Sequence, residues 1–134
     1  MIRVLSVLPG ESPALKTIPE GLASLQKEVG GYIECVYPYE DPVCLIVNEE
    51  GKINGMDLNR ALRDDDGNIY DIIAGPFLVA GLTDCDFCSL DDGLARKYAD
   101  LFRTPELFFS LNGTVHVIPV RGADDGADAP GECG

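Results

Sequence analysis

The sequence predicts an α+β fold: one domain with a mixed, mainly antiparallel sheet of five to seven strands, two main helices and a short third. Three observations lead there. β-rich runs such as "IRVLSVLP", "VCLIVN" and "FFSLNGTVHVIPV" are separated by Gly, Pro, Asn and Asp clusters. Two stretches, "EGLASLQKEVGG" and "SLDDGLARKYADLF", instead carry apolar residues at helical spacing. Finally, 134 residues with 46% hydrophobic content suit a single core, since a chain of this size buries about two thirds of its unfolded surface.

In chain order, "IRVLSVLP" ends at Pro9-Gly10 and "ALKTIP" follows, a hairpin around "GESP". Leu22, Leu25 and Val29 then mark one face of a helix, and Gly30-Gly31 stop it. "YIECVYPY" and "VCLIVN" read as strands on either side of "EDP", and "NEEGK" as a turn. In "LNRALRDDDGNIYD", Leu58, Ala61 and Leu62 predict a short helix that ends in the "DDDGN" turn, where Gly67 or Asn68 takes positive φ. "IYDIIAGPFLVAGL" is too apolar and β-rich for a surface helix, and Gly75-Pro76 interrupts it as a strand. Ser89 opens a box-like cap before a helix lined by Leu94, Tyr98, Leu101 and Phe102. Thr104-Pro105 suits the start of a brief helical turn, and Asn112-Gly113 a type I′ hairpin. The domain is expected over 1–120; the tail 121–134, with four acids against one arginine, is expected to be disordered.

The chain has 23 acidic and 10 basic residues, a formal net charge of −13. That field disfavours nucleic acid and anionic membranes as partners. No apolar run approaches the roughly 18 residues of a membrane span, and "MIRVLSVLPG" is too short for a secretory signal, so a cytoplasmic monomer or homodimer is expected.

Familiar chemistries fail on their ligands. Aligning Gly67 with position six of a calcium loop puts Leu62 and Ile73 at its ends, where oxygen ligands are required. Cys85 and Cys88 form one CxxC, but structural zinc needs a second ligand pair, and the chain has a single histidine, His116. A redox CxxC opens a helix after a strand, which is not the setting here; with Cys35, Cys44 and Cys133 scattered, free thiols in a reducing compartment are expected. No Ser-His-Asp or Cys-His set and no phosphate-binding glycine loop is present. No enzyme activity and no cofactor are expected.

The most concentrated positive charge is Arg60 and Arg63, neighbours on the predicted helix, with Asn59 beside them toward solvent. Two such guanidinium groups need anions between them. Asp57, Asp64 and Asp71 supply these internally, or a ligand's phosphate or carboxylate does.

"LQKEVGGYIECVYP" followed by "NEEGKINGMDLNRALRDDDGNIYDIIAGPFLVAG" resembles a family of small proteins of unknown function from bacteria, phages and mobile elements. The matching positions are Gly30, Gly31, Asn48, Glu49, Gly51, Asn59, Arg60, Asp71 and Gly75, and the likeness extends to Val120. The CxxC and the acidic tail depart from the family pattern. The resemblance implies a phage-type setting and no established activity. With it, the candidate ligand-binding residues are Asn48, Glu49, Asn59, Arg60, Arg63 and Asp71. Two functions follow: sequestering a small anionic ligand, such as a nucleotide signal in counter-defence, or blocking a basic host protein through the acidic surface, as a DNA mimic does.

Overall fold

The computed structural model describes residues 1–83 and 87–120. It opens with β1 (Ile2–Val7) and β2 (Ala14–Ile18), paired antiparallel as the alternating runs predict. Helix α1 (Leu22–Val29) buries Leu25 and Val29 but leaves Leu22 exposed; Gly30 closes it at φ 82°. Then come β3 (Ile33–Val36), β4 (Val43–Asn48), β5 (Leu58–Arg63), β6 (Ile69–Ala74), β7 (Phe77–Leu82), the short β8 (Phe87–Cys88), α2 (Asp92–Leu101), β9 (Glu106–Leu111) and β10 (Thr114–Pro119).

The class is α+β, but the strands fall into three sheets. The largest runs β2-β1-β7-β4-β3, with β8 added on β7, while β5-β6 and β9-β10 stand as separate two-stranded sheets. Every described pairing is antiparallel, so the expected mixed single sheet is replaced. β4 is buried throughout, and its alternation divides the core. Cys44 and Ile46 pack with Leu25 and Val29 under α1. Val43, Leu45 and Val47 pack on the opposite face with Phe77, Tyr98 and Phe102, together with Leu62 and Ile73 from the β5-β6 hairpin. The main sheet thus has α1 on one side, and α2 and β5-β6 on the other.

Helix α2 is fixed by its ends. Its cap is Asp91, whose Oδ1 accepts from Leu94 N at 2.9 Å, whereas Ser89 Oγ accepts from Arg3 N. Tyr98 and Phe102 are buried as its periodicity predicts, but Leu101 is exposed. Tyr98 Oη donates to Asp41 Oδ2 at 2.6 Å, and Lys97 Nζ donates to the same oxygen. The turn foreseen at Thr104-Pro105 is not helical. Asn112 and Gly113 both take positive φ, as a type I′ turn requires. Among the described residues no helix is long and apolar enough to cross a membrane. The expectations for the tail and for Cys85 lie outside the described residues.

The largest correction concerns Leu58–Arg63, which is a strand and not the predicted helix. Its apolar residues fit either period over so short a run, and pairing with the β-rich "IYDIIA" decides for the sheet. A register shift lies between Leu58 and Arg60. Asn59 is the extra residue of that bulge, so its side chain leaves the ordinary alternation and turns inward. The following turn forms as predicted: Asp64 Oδ1 accepts from Asp66 N and Asn68 N, and Gly67 has φ 84°.

Candidate functional site

The six candidate residues do not form one site. Asn59 and Arg60 are 0% and 1% exposed, opposite to the solvent-facing placement expected of a helix. Asn59 Nδ2 donates to Val7 O and Gly75 O, both at 2.9 Å. Arg60 uses all five of its N–H donors internally: Nε and Nη2 donate to Phe102 O, Nη1 to Asn59 O and Oδ1, and Nη2 also to Glu11 O. Burial pulls the guanidinium pKa below its ordinary value, and the Glu106 carboxylate opposes that. No donor is left for an anion.

Arg63, at the end of β5, pairs through Nη2 with Glu106 Oε2 at 2.6 Å. The other oxygen of that carboxylate accepts from Ala61 N at 2.8 Å. Glu106 therefore bridges β5 and the start of β9. The anions foreseen from sequence as partners, Asp57, Asp64 and Asp71, are not the ones that Arg63 meets.

Asn48, Glu49 and Asp71 do come together. They line a cleft of about 260 Å³ between the β3-β4 side of the main sheet and the β5-β6 hairpin. Its walls include Val36, Val47, Leu62, Ile73 and Ala74, and its charged lining is Glu34, Glu49, Lys52 and Asp71. Glu34 lies opposite Val47 in the β3-β4 register, which carries it to this cleft at the sheet edge. Asn48 is a structural member, since Nδ2 donates to Val29 O and Oδ1 accepts from Glu50 N. It fixes the start of the 49–57 connection. Gly51 lets that connection approach β6, because a Cβ there would lie 2.6 Å from Ala74 O.

Within the cleft, Lys52 Nζ donates to Asp71 Oδ1 at 2.6 Å. Partial burial raises the Asp71 pKa, but Lys52 and the Ile72 N–H outweigh it and the net shift is downward. Three carboxylates and one ammonium surround an apolar floor. Such a lining disfavours phosphates and is chemically suited to a cation with an apolar stem.

The residues 2–103 match the model of a domain of unknown function (DUF3846). The chain belongs to that family. The DUF3846 match covers every element lining the cleft and ends before β9, so the β9-β10 hairpin lies beyond it. No curated protein and no solved structure matches the chain.

Sequence reasoning missed Glu34 and Lys52. Lys52 had a signal, as the one cation of the "NEEGK" turn. Glu34 had none, because its position depends on the pairing of β3 with β4. Among the described residues no group of three or more His, Cys, Asp or Glu is placed to hold a metal ion. Cys44 is buried, which pushes its thiol pKa up to about 12, and His116 stacks on Phe109 at 5.3 Å.

Proposed function

We propose that the protein is a non-enzymatic binding module whose acidic cleft takes a lysine or arginine side chain of a basic partner protein. The observation that carries this reading is the cleft's composition: Glu34, Glu49 and Asp71 around Val36, Val47, Leu62 and Ile73. A basic side chain lays its methylene stem on such a floor and its cation among the carboxylates. The formal net charge of −13 adds long-range attraction for a basic partner. In a phage or mobile-element setting, that partner is a basic host protein. The nucleotide-sequestering alternative loses its support with Arg60 spent internally and Arg63 held by Glu106.

Titration of the protein with a short Lys/Arg-rich peptide tests the proposal by calorimetry. Binding is expected at low salt and should weaken steeply as salt is added. The double variant Glu34→Gln/Glu49→Gln should bind at least about tenfold less tightly, a loss of about 1.4 kcal/mol. Affinity that survives both high salt and the double substitution would sink the proposal. A parallel thermal-shift screen against nucleotides should show no stabilisation.

A further inference from the structure

We propose that the β9-β10 hairpin is a self-association element, through which two copies of the chain pair antiparallel along the outer edges of β10 about a two-fold axis. The two hairpins then form one four-stranded sheet. The inference stands apart from the cleft.

The hairpin concentrates exposed apolar side chains. Leu107 and Leu111 are 56% and 55% exposed, and Phe109, Val115 and Ile118 are exposed as well. Leu107 lies opposite Ile118, Phe109 opposite His116 and Leu111 opposite Thr114, so these side chains share one open face. A two-stranded hairpin of this kind is marginal by itself and gains from a further strand.

The edge geometry says where that strand adds. Val120 N donates to Pro105 O at 2.7 Å, one rung beyond the Pro119 and Glu106 pair. Hydrogen-bonded rungs alternate in an antiparallel ladder, so residues 114, 116 and 118 also bond inward to β9. Val115 and Val117 then direct their N–H and C=O groups outward from β10. Among the described residues no strand pairs with that edge. β9 packs on β5, where Glu106 accepts from Ala61 N, and β10 packs chiefly on β9, with Pro119 at its end reaching the body.

Charge identifies the occupant as a second copy. The stretch "LFFSLNGTVHVIPV", residues 107–120, has no Asp, Glu, Lys or Arg in a chain of net charge −13. Exposed edges in monomers are ordinarily guarded by charged side chains or strong bulges. This edge carries neither over Thr114–Ile118, only Pro119 at its end. Two copies meeting here avoid the like charge that other faces would bring together. Edge pairing along Thr114–Ile118 covers a single strand edge on each copy, far less than the roughly 800 Å² per partner of a standard interface. A concentration-dependent dimer follows, not an obligate one.

Sedimentation velocity of the full chain in reducing buffer, from about 1 to 200 μM, reads the mass across the range of a weak dimer. The expected result is a rise from 14.4 kDa toward twice that value. Val117→Pro removes an outward donor and Val115→Lys charges the edge. Each should weaken the dimer at least about tenfold with an unchanged circular dichroism spectrum. A monomer at every concentration, or a dimer that both variants leave intact, would overturn the proposal.

Discussion

Both β5-β6 and β9-β10 are two-stranded antiparallel hairpins with glycine-containing turns, yet the first buries an asparagine and an arginine while the second exposes leucine, phenylalanine and isoleucine. Their roles explain the inversion. The β5-β6 hairpin must be joined to the main sheet without sharing a ladder with it, and the carbonyls of Val7, Glu11, Gly75 and Phe102 reach Asn59 and Arg60. These two side chains act as rivets between four segments. The β9-β10 hairpin lies beyond the family match and presents its apolar residues outward. Burial of a polar pair therefore marks an internal joint here, while the apolar residues on β9-β10 are left uncovered by the rest of the described chain.

The sharpest way to break that contrast is to remove a rivet. Arg60→Met should cost about 3–5 kcal/mol, because carbonyls from several segments lose their donors at once. Arg60→Lys should recover little, since an ammonium has three donors in place of a planar five. Urea unfolding measures both. By contrast Phe109→Ser, on the open face of β9, should change stability by no more than about 0.5 kcal/mol. An Arg60→Met protein within about 1 kcal/mol of the parent would mean that Leu62 and Ile73 alone hold the hairpin.

A smaller effect is expected where the cleft is shaped. Gly51→Ala must displace either the 49–57 connection or the Ala74 carbonyl, with a cost of about 1–3 kcal/mol. Because Lys52 and Ile53 follow directly, peptide affinity should fall together with stability. Unchanged affinity in a destabilised Gly51→Ala protein would separate the connection from the binding surface.

Acid sensitivity links the α2 joint with the β5-β6 hairpin, where the Asp71 pKa is also depressed, and sets both apart from β9-β10. The Asp41 pKa is depressed, first by the Lys97 hydrogen bond and then by Tyr98. A depressed carboxylate contributes stability above its unfolded value and loses it as pH falls through the folded one. The thermal midpoint should therefore drop from about pH 4 downward, and Asp41→Asn should flatten that fall while lowering the midpoint at neutral pH. An acid limb identical in parent and variant would place the titrating groups elsewhere.

Much of the fold was legible because its signals are local. The β1-β2 pair, α1 with its glycine stop, the Gly67 turn and the Asn112-Gly113 hairpin each follow from residues adjacent in sequence. Leu58–Arg63 was misread because its spacing suits a helix and only the distant pairing with β6 makes it a strand. The site suffered from the same cause. Arg60 and Arg63 look like one grip in sequence, but a strand sends successive residues to different neighbours, and a bulge beside Arg60 changes them again. Asn48, Glu49 and Asp71 line one cleft, whereas the sequence groups them with Asn59, Arg60 and Arg63 and does not set them apart. Their shared cleft depends on two sheets meeting, which no local pattern encodes.

The smallest structural effect carries the most specific functional test. Lys52 and Asp71 form an ion pair whose side chains are about half exposed, and such pairs contribute roughly 0–1 kcal/mol. Lys52→Ala should therefore leave the unfolding midpoint nearly unchanged. It also removes the one cation of the cleft lining and releases the Asp71 carboxylate. If a partner's basic side chain occupies the cleft, Lys52 is its internal competitor, and the variant should bind the Lys/Arg-rich peptide several-fold more tightly with a steeper salt dependence. Adding Asp71→Asn should cancel the gain, because the two substitutions act on one carboxylate and are coupled. Were Lys52→Ala to bind no better than the parent, the attraction would belong to the diffuse acidic surface and not to this cleft.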